Sequence, residues 1–420
     1  MLSTTSRYFF TAIITSLLCT ALSFTIHVLP KSNSMINFKV DKNSNRADFI
    51  ANDYLSSAVK YHKEQPTFSK RPLTTFFVEN LSRRTNLNIG WAFTMVNFGF
   101  YFISGILLFY CSFLLGNNIK LSIISVILFF LSFTVLFAFF RSIYTYDEPI
   151  QYCFLFLSLI AVIKEKWILY IFAFSIALIS RENSILLAPS IFVFLSNFKE
   201  SKIRINKELI KKVAIQISPI LIYLGFYLLM YFNKMEESAN DIVSRTSLFK
   251  YNFQNILFAN ETMVSLFLAV GIQILFLYFY MKTNQKSRYE KQLVYSFLLA
   301  FFINTIIVIM TARAREARLF ALPLIFLWPL LGKIVYFEFI KFRSIIKNLL
   351  FIKNWIYLFT LIFLIFMGYI TSEYIYIPSE PAKEENFFNE YLFTISIIGS
   401  LLFVVNLYFE SKLKFKKSNE

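Results

Sequence analysis

Carboxylates and guanidiniums recur in four short stretches of an otherwise apolar chain. The first holds Asp48 and Asp53 in RADFIANDYLSSAVKY, followed by Lys70-Arg71-Pro72-Leu73. The second runs from Arg141 to Tyr146-Asp147-Glu148-Pro149, and the third is Arg181-Glu182-Asn183. The fourth, TARAREARLF, carries Arg313, Arg315, Glu316 and Arg318. A carboxylate beside a hydroxyl can act as a general base. The planar fork of Arg matches two oxygens of a phosphate or carboxylate and can stabilise charge on a phosphate as it leaves. Brought into one pocket, these groups have the parts for transfer from a phosphorylated donor. Their acids, Asp48 and Asp53 among them, could supply a general base. Arg71, Arg181, Arg313, Arg315 and Arg318 are the candidate phosphate ligands, with Tyr54, Asp147, Glu148 and Glu182 in support.

Each stretch also has a plainer explanation. Asp48 and Asp53 could be helix-start or solvated acids. Asp147 precedes Pro149 and the next apolar run, so capping of a helix N-terminus would account for it. Glu148 adds a second charge that capping does not need. Arg181-Glu182-Asn183 interrupts the apolar run 167–197, at a hairpin tip or as a buried, self-paired group. In a helix, Arg315 and Arg318 would share one face and Arg313 and Glu316 another; a solvated turn or lipid-headgroup contact is the simpler alternative.

The elements that must position these groups are set by composition. Of 420 residues, 57% are hydrophobic, 19% aromatic and only 16% charged, and 53 Phe stand against 9 Gly and 10 Pro. With a mean hydropathy of +0.58, this excludes a disordered or collagen-like chain. Cys19, Cys111 and Cys153 all lie in apolar stretches, which excludes a disulfide scaffold and the usual zinc patterns. Only two His, His27 and His62, argue against a multi-histidine metal site. No strand-like alternation is present, so a barrel is not expected.

The expected fold is all-α: a polytopic transmembrane helical bundle. A spanning helix needs about 20 apolar residues. Twelve candidates, within a range of 10–13, are 8–29, 89–115, 119–140, 149–163, 167–180, 183–197, 213–233, 263–281, 292–311, 318–335, 354–371 and 391–409. Those at 149–163, 167–180 and 183–197 are short and read as buried, broken or half-spanning helices. The long first outer loop, 31–88, carries short amphipathic helices; Tyr54, Ala58 and Tyr61 mark 48–63 as one of them.

Charge orients the bundle. With both termini cytoplasmic, the inner segments hold 23 of the 42 basic residues but only 7 of the 25 acids. Nearly all of the +17 charge thus falls on one side, as the positive-inside rule requires. The pI of 9.5 is explained by topology and anionic lipid headgroups, and no nucleic-acid partner is expected. The first apolar stretch ends at Pro30 without a small-residue cleavage site and reads as a retained anchor.

Taken together, these features resemble GT-C type glycosyltransferases. The likeness rests on an N-terminal span, then a long outer loop with an early acid (Asp48 or Asp53) before Tyr54 and Ala58. Lys70-Arg71-Pro72-Leu73, Asp147-Glu148-Pro149 and Arg181-Glu182 with Pro189 beyond continue it. The resemblance covers roughly 1–330, so the chain divides into a catalytic membrane region, 1–335, and C-terminal helices with a basic tail, 336–420. It departs from the family in lacking an Asp-Glu doublet in the first loop, which leaves the choice between Asp48 and Asp53 open.

The resemblance implies transfer of a sugar from a polyprenyl-phosphate donor to a glycan, lipid or protein acceptor at the non-cytoplasmic face. An outer-loop Asp would serve as base and the arginines would hold the lipid phosphate. A divalent metal ion is used by some relatives and not by others. A bacterial inner membrane is the expected location. An O-antigen-type polymerase or ligase usually places its large loop late, whereas here the longest loop comes first. A transporter or flippase usually has two related halves and midplane polar residues, and neither is visible.

Overall fold

Asparagine and serine side chains start several of the helices. Asn88 Oδ1 accepts from the Trp91 amide at 2.9 Å to open α4 (Ile89–Leu114), and Asn118 Oδ1 accepts from the Leu121 amide at 3.0 Å to open α5 (Ile119–Phe130). Such a cap contributes about 1 kcal/mol by satisfying an amide the helix leaves unpaired. These and the following elements come from a computed structural model. It describes residues 4–29, 34–38, 49–140, 146–195, 207–231, 248–283, 287–349, 354–375 and 388–418. Among the described residues all regular structure is helical.

In chain order, α1 (Thr4–Val28) is followed by α2 (Asn52–Glu64) and α3 (Pro72–Thr85), then by α4 and α5. The hairpin α6 (Glu148–Ile163) and α7 (Trp167–Ser180) leads through a 3-10 turn, Glu182–Leu187, into α8 (Ala188–Leu195). Next come α9 (Lys207–Tyr231), α10 (Ile256–Leu266), a π turn at Phe267–Gly271, α11 (Ile272–Thr283) and α12 (Arg288–Thr311). Two 3-10 turns, Ala317–Phe320 and Leu322–Phe326, precede α13 (Trp328–Leu349); α14 (Trp355–Ile370) and α15 (Phe388–Ser418) complete the chain.

Among the described residues, seven helical stretches are long and apolar enough to cross a membrane: Ser6–Val28, Ile89–Leu114, Ile210–Met230, Ile256–Lys282, Arg288–Thr311, Trp355–Glu373 and Asn389–Lys412. The chain is therefore an integral membrane protein. Seven of the twelve expected spans coincide with these. The other five do not reach that length. Four are short apolar helices, Ile119–Phe130, Glu148–Ile163, Trp167–Ser180 and Glu182–Val193. The fifth, 318–335, opens with two 3-10 turns before α13. The expected span 119–140 breaks at Leu131-Ser132, where Ser132 Oγ caps a new turn by accepting from Val135 N at 3.4 Å.

The middle of the bundle is packed around α4, α5, α6 and α13. Phe129 lies 5.5 Å from Trp328, 5.6 Å from Phe156 and 6.0 Å from Tyr152, ring centre to ring centre. Gly332 lets α13 approach α5 closely: a Cβ there would stand 2.1 Å from the Leu121 carbonyl oxygen. The Gly332 amide donates to Ser125 Oγ at 3.0 Å across this contact. Small residues serve this purpose in membrane bundles, where packing rather than water drives helix association. The 335/336 division falls within α13, and Leu392 and Ile395 of α15 belong to the main core. Ile345, Val404, Val405 and Tyr408 form a second, smaller core.

Candidate functional site

Helix α2 lies on the bundle through Leu55, Ala58, Val59 and His62, all buried. This is the i, i+3, i+4, i+7 spacing of one helical face. The face expected from Tyr54, Ala58 and Tyr61 is thus rotated by about one residue: Tyr54 and Tyr61 are half-buried beside it. Burial of His62 is the reason, because its imidazole reaches Asp147 Oδ2 at 3.1 Å with both side chains 1% exposed. Its ring stacks on Phe68, 5.6 Å away, and tilts against Tyr146 at 4.6 Å. Thr75 Oγ1 lies 3.4 Å from His62 Nδ1 and 3.0 Å from the Tyr146 hydroxyl.

Asp147 occupies the N-cap position of α6, yet its side chain makes no capping hydrogen bond. The carboxylate turns to His62 instead, so capping does not explain this residue. Its second oxygen, Oδ1, is buried without a hydrogen-bond partner among the described residues. Burial and the Asp147 charge both push the Tyr146 phenol above its ordinary pKa.

Glu148, the next residue, is buried and ion-paired to Arg181, with Arg318 Nη1 at 3.7 Å. Arg181 stands where α7 ends in extended backbone, at φ −152° and ψ 119°. That break aims the guanidinium back along the α6–α7 hairpin. Gln151, one turn into α6, donates to Asn183 Oδ1 and Ser184 Oγ, both at 2.8 Å, and fixes the 3-10 turn against α6.

Arg71 precedes Pro72, the first residue of α3. Its guanidinium grips Glu182 with both arms, Nε to Oε2 at 2.7 Å and Nη2 to Oε1 at 2.6 Å. Lys70 Nζ adds a contact at 3.3 Å. Burial works against the Glu182 carboxylate, but the Arg71 guanidinium, with Lys70 behind it, holds its pKa well below the usual range. Burial likewise opposes the Arg71 cation; Glu182, then Asp147 and Glu148, more than restore it, so its pKa is raised. Arg71 Nη1 and Arg181 Nε are buried with no hydrogen-bond partner among the described residues.

The fourth stretch divides. The 3-10 turn Ala317–Phe320 sends Arg318 inward to Glu316 and Glu148. Arg315 goes the other way, to Glu261 at 2.9 Å and the Tyr251 hydroxyl at 2.8 Å, with its guanidinium 4.1 Å above the Phe258 ring. Arg313 is exposed, 5.7 Å over Tyr251. The expectation that Arg315 and Arg318 share a helical face fails because this segment is not α-helical.

Of the candidate residues, Arg71 grips the half-buried Glu182, and the buried Arg181 and Arg318 share Glu148, the neighbour of Asp147; this charged network is drawn from four parts of the chain. Arg313 and Arg315 lie apart from it. Asp53 is exposed in the first turn of α2 and accepts only a long contact from Asn52, at 3.4 Å. It stands about 14 Å along the helix axis from His62, at 1.5 Å per residue. Tyr54 packs on Phe38, and Asp48 lies outside the described residues. His62 joins the network although its residue type had pointed only away from a metal site; its place on the apolar face of α2 is the signal that could have found it.

Among the described residues no three His, Cys, Asp or Glu side chains are grouped to hold a metal ion. Glu148 and Glu182 are already held by arginines. Comparison with known proteins adds no relative: no family model, curated protein or solved structure matches the chain.

Proposed function

We propose that the protein is a membrane glycosyltransferase that moves a sugar from a polyprenyl-phosphate donor to an acceptor at the non-cytoplasmic face. The observation that carries this reading is the buried network itself. Three arginines and three carboxylates from separate segments meet where α3, α6, the α7 end and the Arg318 turn converge. Buried charge at such a depth is costly, and in membrane proteins it marks function more often than support. Arg71 and Arg181 retain buried donor capacity, which a phosphate oxygen would use. In this reading Arg71, Arg181 and Arg318 hold the lipid phosphate and stabilise its charge as the bond to the sugar breaks. The bias of basic residues toward the opposite loops supports an orientation with the network outside. A bacterial inner membrane with cytoplasmic termini fits the same bias.

The test uses the full chain in nanodiscs with C55 polyprenyl-phosphate-linked glucose, galactose and mannose. Release of polyprenyl phosphate is followed with water or added glycan as acceptor. Replacement of Arg71, Arg181 or Arg318 by Gln should cut release at least 100-fold, the size expected when a charge-stabilising donor is lost. Full activity in all three variants would refute the assignment.

A further inference from the structure

We propose that Asp147, oriented by His62, is the base that takes the acceptor's proton; the inference rests on the transferase reading above. Three observations carry it. First, Asp147 is wholly buried at a helix N-terminus yet does not cap the helix. Its position therefore serves something other than helix termination.

Second, the hydrogen-bond chain around it has one consistent direction. An ionised carboxylate only accepts, so His62 Nε2 carries the hydrogen and donates to Asp147 Oδ2. In the Nε2–H tautomer Nδ1 accepts, and the Thr75 hydroxyl, 3.4 Å away, is placed to donate to it. The Tyr146 phenol, kept protonated by its raised pKa, donates to Thr75 Oγ1. The chain Tyr146–Thr75–His62–Asp147 is thus fully ordered up to its last atom. That atom, Asp147 Oδ1, is buried with its accepting capacity unused among the described residues.

Third, Asp147 acts electrostatically on Arg71, whose Nη1 is a buried donor in the same condition. An acceptor for a hydroxyl proton and a donor for a phosphate oxygen are therefore within electrostatic range of each other. That juxtaposition is what in-line transfer from a lipid-linked sugar needs.

In the step, the acceptor oxygen forms a bond to the anomeric carbon while the bond from that carbon to the phosphate oxygen breaks. The bonding pair stays with the polyprenyl phosphate, facing the arginines. The hydroxyl proton passes to Asp147 Oδ1, and the His62 N–H keeps the carboxyl group oriented. Asp147 is then the catalytic residue and His62 a positioning residue.

The test measures polyprenyl phosphate release and binding of sugar-free polyprenyl phosphate by the full chain in nanodiscs. Asp147→Asn should lower kcat at least 100-fold with KM within about threefold, the range for a lost general base. His62→Gln, which keeps a donor, should lower kcat about tenfold with KM unchanged, the split a positioning role predicts. If Asp147→Asn does not yield folded protein, Asp147→Glu carries the same test, with turnover reduced but not abolished and KM unchanged. Turnover within twofold in both Asp147→Asn and His62→Gln would overturn the assignment and leave the transferase reading standing. So would a 100-fold loss in Asp53→Asn with Asp147→Asn unaffected. Neither binding nor release by the unmodified chain would overturn both.

Discussion

Replacing Glu182 by Gln should loosen α3 from the bundle by an amount that can be worked from the ion pair. Removing one partner of a buried pair costs about 3–5 kcal/mol, because the other charge is left uncompensated. Glu182 is 26% exposed and Arg71 9%, and Asp147 and Glu148 still act on the guanidinium. The loss should therefore be smaller, about 2–3 kcal/mol, by the same reasoning on partial burial. Tenfold corresponds to about 1.4 kcal/mol, so local opening should become roughly 30- to 150-fold more frequent. Amide hydrogen exchange of peptides from Pro72–Thr85, measured in nanodiscs, reads this directly. Exchange in α14, which packs on α15 and touches neither α3 nor the Glu182 turn, should stay unchanged. The paired replacement Arg71→Met with Glu182→Leu removes both charges and should recover most of the protection, while losing any affinity for polyprenyl phosphate. A change below threefold in Glu182→Gln, or a paired variant worse than the single one, would refute the reasoning.

Three further outcomes are expected. Because Arg71 depresses the Glu182 pKa, the pair's contribution is complete above the ordinary carboxylate pKa of about 4.3 and fades only as pH falls through the lower, folded value. Protection of α3 should accordingly be flat from pH 5 to 8 and drop below about pH 4, as followed by exchange corrected for intrinsic rates. Gly332→Ala forces a Cβ against the Leu121 carbonyl and should cost at least the 1–3 kcal/mol of ordinary overpacking. Gly225→Ala, with nothing within 4 Å, should be neutral or stabilising by up to about 1 kcal/mol; melting in detergent by size-exclusion separates the two. Arg315→Ala strands Glu261, which is 2% exposed, and should cost about 2–4 kcal/mol. Adding Glu261→Leu should restore most of that loss in the same melting assay.

The long apolar helices were plain in the sequence because a membrane demands length and hydropathy, and both are local properties. The four polar stretches were equally plain, because charge in an apolar chain stands out. What could not be read was which charge meets which. Arg315 and Arg318 are three residues apart and were expected on one helical face. Pro323 follows closely, and the segment coils into 3-10 turns that send the two side chains to Glu261 and Glu148. The break at Leu131-Ser132 was hidden because Ser is common inside membrane helices and only the following capped turn makes it a terminus. For Asp147, a capping position and a buried partner look alike in sequence. The choice depends on His62, 85 residues earlier.

The pairing of Glu148 with Arg181 also bears on how the chain enters its membrane. These partners are 33 residues apart and sit at the same end of the α6–α7 hairpin, whereas Arg71 waits 111 residues for Glu182. At about 5–20 residues per second of synthesis, the first gap closes in roughly 2–7 s and the second in roughly 6–22 s. The acid with almost no exposure thus gains its counter-charge within one hairpin, which can leave the translocation channel as a neutral unit. The long wait falls to an arginine in a polar loop, where water can solvate it until the hairpin arrives. The order of the charges along the chain therefore places the counter-charge of Glu148 within its own hairpin.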